Sequence, residues 1–186
     1  MKISIKNMVC NRCVSAVEKV FNDLEIAYSS VTLGEIDTQK ELTQVQFRDV
    51  DEALQRVGFQ VLEDASKQLI EKTKTSIILK INGLDISEDF ILSKFLSAKL
   101  HKNYSAISKI FSQHENFTLE QYFILQKIEK VKELLLYNEF SLTEISAKLG
   151  YKSVQHLSSQ FRKNTGFTPS QFKNLKQKIR IPLDKL

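Results

Sequence analysis

A chain of 186 residues with 42% hydrophobic residues can build one ordinary core or two small ones. Five Gly and 2 Pro exclude a collagen-like or low-complexity chain and a many-stranded barrel with frequent tight turns. No apolar run approaches the ~18 residues of a membrane span, and the opening Met1-Lys2-Ile3-Ser4 lacks a signal peptide's apolar stretch, so a cytoplasmic protein away from membranes is expected. The net charge of +5 is uneven: residues 1 to 64 hold 7 Lys/Arg against 11 Asp/Glu, whereas residues 146 to 186 hold 9 against 1. That basic end fits a polyanionic partner.

The first 63 residues read as a small α/β unit. Ile3 and Ile5 alternate with polar residues as in a strand, and Val14, Val17, Val20 and Phe21 then recur at helical spacing. Val31 and Leu33 mark a second strand, Gly34 a turn, and Ile36 a short third strand in a polar neighbourhood. Val50, Leu54 and Val57 space a second helix capped by Gly58, and Phe59 to Leu62 closes as a strand. Strand, helix, strand, strand, helix, strand is the order of a ferredoxin-like sandwich.

From Ala65 onward the apolar spacing is helical, with segments at about 65 to 81, 91 to 100, 104 to 114, 119 to 137, 142 to 149, 154 to 164 and 169 to 178. Asn82-Gly83, Asn116, Gly150 and Gly166 supply the breaks, Asn116 through the left-handed conformation that ends a helix. The expected class is α+β: a ferredoxin-like domain over 1 to 63 followed by an all-α, seven-helix domain over 65 to 178. No tandem repeat is obvious at the level of identity, although two helix pairs share a plan.

The clearest local grammar runs from Ser141 to Phe172. Ser141-Leu142-Thr143-Glu144 is a capping box, Leu149-Gly150 ends that helix, and Ser153 is placed to cap the next. Val154, Leu157 and Phe161 share one face of the second helix, which turns Gln155, Ser159 and Arg162 outward. Two helices with so short a turn form a helix-turn-helix. Gln155 has the donor and acceptor pair that reads adenine, Ser158 and Ser159 let a helix approach closely, and Lys152, Arg162 and Lys163 can reach phosphates. His156 reads as a surface residue beside this face.

The run Lys127 to Leu135, then Ser141 to Leu149, Gly150-Tyr151, and Phe161 to Phe172 with Gly166-Phe167-Thr168-Pro169, resembles the DNA-binding domain of AraC/XylS-type transcription regulators. The resemblance spans about 65 to 176 and implies two helix-turn-helix units, joined by a long helix at Leu119 to Tyr137, that dock in successive major grooves of double-stranded DNA. It places Ser105, Ser108 and Lys109 of a first reader, and Gln155, Ser159 and Arg162 of the second, at or near DNA, with RNA polymerase as the expected protein partner. Asn116 stands where that family usually has Gly, Leu157 where it has Phe or Tyr, and Lys173 where it has Arg.

Cys10 and Cys13, the only cysteines, lie in Met8-Val9-Cys10-Asn11-Arg12-Cys13 between the first strand and first helix. Two thiols on one loop fit a soft, low-coordinate ion such as Cu(I), since tetrahedral zinc needs two further ligands; a redox pair and an idle pair remain open. The segment resembles the heavy-metal-associated domain of copper chaperones and metal-transporting ATPases, with Asn7 in place of that family's Gly. No nucleophile-base constellation or phosphate-cradling loop points to an enzyme. DNA-repair methyl-acceptor proteins join cysteines to a similar helical domain but use four of them on zinc. The function expected is therefore DNA-binding transcription regulation; the alternative is a metal-binding or metal-delivering protein whose helical half mediates protein contacts.

Overall fold

The computed structural model describes residues 1–175. They divide into two compact units, Met1–Thr75 and the residues from Ser76 onward. None of the described helices is long and apolar enough to cross a membrane.

The first unit contains β1 (Lys2–Lys6), α1 (Asn11–Asp23), β2 (Tyr28–Thr32), β3 (Glu35–Thr38), α2 (Gln44–Arg56), β4 (Gln60–Leu62) and the beginning of α3 (Ala65–Asn82). Its antiparallel sheet has the order β2-β3-β1-β4, with Ile3 opposite Ile36 and Ile5 opposite Val61. This is the expected ferredoxin-like βαββαβ arrangement. Strand alternation turns Ile3, Ile5 and Ile36 to one face, where they meet Val17, Val20 and Phe21 of α1 and Val50 and Leu54 of α2 in one buried cluster. The polar third strand is held by charge as well as by the ladder: Glu35 pairs with Lys2 at 3.1 Å and with Lys72 at 3.3 Å. Gly34 turns into it with φ +82°, a conformation that favours glycine, and a Cβ there would lie 3.1 Å from Thr75 Oγ1, a tight contact. Val57, expected on the buried face of α2, instead caps its C-terminus and is exposed. Val14 is only partly buried against the core.

The second unit takes the remainder of α3, then α4 (Leu92–Leu100), α5 (Tyr104–His114), α6 (Leu119–Tyr137), α7 (Leu142–Lys148), α8 (Val154–Thr165) and α9 (Pro169–Lys173). Residues 176 to 178 of the expected last helix lie outside the described residues. The helix pairs α4–α5 and α7–α8 are copies of one plan. Ser97-Ala98-Lys99-Leu100 recurs as Ser146-Ala147-Lys148-Leu149, and Phe117-Thr118 with Gln121 recurs 50 residues later as Phe167-Thr168 with Gln171. Thr118 and Thr168 each form a capping box with the glutamine at the third helical position. This is the shared plan expected of two helix pairs, and it extends to identity at these few positions. The shared residues are short cap and packing signatures separated by variable surface positions, which dilute any overall similarity.

The copies part at one break. Gly166 is left-handed (φ +80°), whereas α5 ends through Glu115 in extended conformation (φ −112°, ψ 150°), and Asn116 does not take the left-handed geometry expected of it. Between the pairs runs α6, which packs against α5, α7, α8 and α9. It buries Ile128, Val131, Leu134 and Leu135, and also Gln126, Lys127, Glu129 and Lys132. Glu129 and Lys132 are paired at 2.6 Å, which offsets part of the cost of removing both charges from water.

Candidate nucleic-acid interface

The second reader is fixed from both ends of its turn. Gly150 adopts φ +64°, Ser153 caps α8 by accepting from the His156 amide at 3.1 Å, and the segment before α4 reaches across as Ile86 N–H donates to Lys148 O at 3.1 Å. Leu157 and Phe161 are fully buried, and Phe161 meets Phe172 of α9 edge to face at 5.6 Å. Val154, the third residue expected on that face, is half-buried at the start of the helix.

A polar strut completes the seat of α8. Tyr151 is 4% exposed and donates its hydroxyl to Gln160 Oε1 at 2.8 Å, while Lys127 Nζ of α6 sits 3.6 Å from the centre of the Tyr151 ring. Burial pushes the Lys127 ammonium down to about 8. With the inner face held in this way, Gln155, Ser159 and Arg162 are exposed together, Lys152 and Lys163 are exposed beside them, and Ser158 is half-buried at their edge. Ser158, Ser159, Arg162, Lys163 and Thr168 line one shallow groove. Among the described residues no carboxylate pairs with Lys152, Arg162 or Lys163.

The first reader is α5. Asn103 caps it, accepting from the Ser105 amide at 2.9 Å and the Ser105 hydroxyl at 2.7 Å, so Ser105 is exposed but already engaged in the cap. Ile107 and Phe111 are buried, in the positions of Leu157 and Phe161. Lys109 is exposed and Ser108 half-buried. The 50-residue correspondence sets Ser105 against Gln155 and Lys109 against Ser159. It also sets Ser112 against Arg162 and Gln113 against Lys163, and both are exposed. Sequence reasoning passed over Ser112 and Gln113, which counting back 50 positions from the second reader would have found.

The cysteine loop belongs to the first unit, outside both readers. Cys10 is exposed at the N-cap of α1, Cys13 is half-buried, and the two sulfurs are 3.7 Å apart. Burial would raise the Cys10 thiol, but the Cys13 amide, the Cys13 thiol, the Arg12 amide and the Arg12 charge together hold it below the usual value. Cys13 is pushed up, by burial first and by the neighbouring sulfur. Among the described residues no group of three or more potential metal-ligating side chains comes together, so the two thiols are the donor set the loop presents, and they suit a low-coordinate soft ion.

Residues 96–175 match the family model described as "Helix-turn-helix domain". A protein named Histidine kinase P4 from Formosa agariphila is 25% identical over 173 residues, 93% of this chain and 10% of that protein. The Melibiose operon regulatory protein of Escherichia coli is 32% identical over 82 residues, covering 44% of this chain and 26% of the regulator. The chain thus spans at most about a quarter of the length of these two curated relatives. In fold it is similar to the C-terminal domain of AraT, a response regulator from Geobacillus stearothermophilus, with a TM-score of 0.52 at 20% identity over 62% of this chain and 91% of that one. The match to that family model falls on the part of the second unit that carries the duplicated helix pair, α4–α5 and α7–α8.

Proposed function

We propose that the chain acts as a sequence-specific transcription regulator, setting α5 and α8 into successive major grooves on one side of double-stranded DNA. The observation that carries this reading is the duplicated helix pair: the second helix of each copy buries corresponding positions, Ile107 and Phe111 in one and Leu157 and Phe161 in the other, and exposes corresponding outer positions, and the α8 copy carries cations that no described carboxylate neutralises. In this reading Gln155 reads a base edge, Ser158 and Ser159 allow close approach, and Lys152, Arg162 and Lys163 hold phosphates. Ser105, Ser108 and Lys109 do the corresponding work on α5, joined by Ser112 and Gln113. RNA polymerase is the protein partner through which a DNA-bound regulator of this kind acts, and the cytoplasm is where both are met. The first unit is a heavy-metal-associated-type module in which Cys10 and Cys13 would hold a soft cation such as Cu(I); a bound ion there supplies a fixed positive charge and a link between the two sulfurs.

The test separates base reading from phosphate holding. On its preferred site, Gln155→Ala costs about 1 to 3 kcal/mol and flattens the preference at one position. Arg162→Ala weakens all sequences alike and lowers the salt slope by about one unit. Equal, sequence-independent losses for both variants in a titration of labelled duplexes would remove the base-reading role from Gln155.

A further inference from the structure

The cysteine loop has a geometry suited to chemistry that neither DNA binding nor ion binding requires. Cys10 is the exposed member, at the N-cap of α1, and Cys13 stands in the first turn, half-buried, with its sulfur 3.7 Å from that of Cys10. The backbone under the pair is braced. Asn7 is left-handed at φ +73°, its amide donates to Glu71 Oε1 at 3.0 Å, its side-chain amide donates to the Gly58 carbonyl at 3.1 Å, and its own carbonyl accepts from Cys13 Sγ at 4.0 Å. Met8, next along, is fully buried. Closing the sulfurs to the ~2.05 Å of a disulfide therefore calls for side-chain rotation on a loop that is already fixed.

We propose that, when free of metal, Cys10 and Cys13 form a dithiol site that reduces small anionic disulfides, with Cys10 as the attacking sulfur and Cys13 as the resolving one. The exposed Arg12 between them supplies the positive charge that favours a carboxylate-bearing disulfide. In the first step the Cys10 thiolate attacks one sulfur of the external disulfide, whose S–S bond breaks. One thiolate leaves and takes up a proton from water, and Cys10 is left in a mixed disulfide. Cys13 then loses its proton to solvent and attacks Cys10 Sγ. The mixed disulfide breaks and a second thiolate leaves to be protonated. The two protein sulfurs are oxidised by two electrons, and the external disulfide is reduced to two thiols.

The experiment uses the full chain, reduced and treated with a chelator, then exposed without oxygen to oxidised glutathione, quenched with an alkylating agent and weighed by mass spectrometry. Wild type loses two hydrogens and both alkylation sites while retaining no glutathione. Cys13→Ser stops at one glutathione on Cys10, and Cys10→Ser reacts about tenfold or more slowly, because its remaining thiol is the less accessible one. Wild type that keeps both thiols alkylatable, or that ends as a stable glutathione adduct, overturns the proposal. Equal trapping rates in the two single variants overturn the assignment of roles. The wild-type result stands without reference to the folding of either variant.

Discussion

Lys127 offers a direct reading of the strut beneath α8. The residue is 7% exposed, its ammonium lies over the Tyr151 ring with Phe123 the other aromatic near it, and burial holds its pKa at about 8, against about 10.4 for a free lysine side chain. Because the folded value is depressed, the folded state binds fewer protons than the unfolded one between these two values. The penalty is present in full below about pH 8 and is relieved as pH rises toward about 10.4. At about 1.4 kcal/mol per unit the whole penalty is about 3 kcal/mol, of which about 2 kcal/mol is regained between pH 7 and about 9.5. Burial pushes the Tyr151 hydroxyl upward, so Tyr151 stays neutral across this window, and stopping at about pH 9.5 keeps ionisation of the unfolded tyrosine near 10 out of the comparison. Lys127→Met removes the titrating group and keeps most of the volume. Urea unfolding of wild type and Lys127→Met at both pH values should show wild type gaining about 2 kcal/mol relative to the variant on going from pH 7 to about 9.5. A difference between the two proteins that is independent of pH would refute the placing of a charged ammonium against Tyr151.

Phe161→Ala should open a cavity between α8 and α9 where Phe161 meets Phe172, costing about 3 to 5 kcal/mol and abolishing DNA binding; a variant with wild-type thermal stability would show that Phe161 does not face inward. Gly150→Ala would put a Cβ 2.6 Å from the Ser87 carbonyl oxygen at φ +64°, and should cost more than about 2 kcal/mol, visible as a lowered melting temperature. Ser112→Ala with Lys109→Ala should weaken binding while leaving the melting temperature unchanged, since both residues are exposed; unchanged DNA affinity would remove α5 from the interface.

Much of the helical unit was legible because its signals are local. Capping residues, apolar spacing and the glycines after α7 and α8 set helix limits that tertiary packing then kept, as Ser141 with Glu144 and Gly166 illustrate. Where a position answers to distant partners, the sequence was a poorer guide. Charge alone would put Lys127, Glu129 and Lys132 at the surface, yet α6 is covered on several sides by α5, α7, α8 and α9, so these side chains are buried and pair with one another or with a ring. In the first unit the short third strand is signalled by Ile36 alone in a polar neighbourhood, because what holds β3 is distant in sequence: its cross-strand partners Lys2 and Ile3 and the Lys72 charge. Val57 misled for the opposite reason: it keeps the apolar spacing but falls at the C-cap, where the chain has already left the helix. The exposed face of α8 followed from periodicity alone. The outer end of α5, Ser112 and Gln113, carries no charge to draw notice and became visible through its correspondence with Arg162 and Lys163.

The central claim, two readers in successive major grooves, is tested most directly by selecting bound duplexes from a random pool with the purified wild-type chain and with Gln155→Ala. Two helix-turn-helix units on one side of the duplex require a site with two preferred blocks centred about 10 base pairs apart, and Gln155→Ala should erase the preference at one position of one block while leaving the other block intact. Enrichment of a single block, or of no sequence at all from a folded protein, would contradict the account.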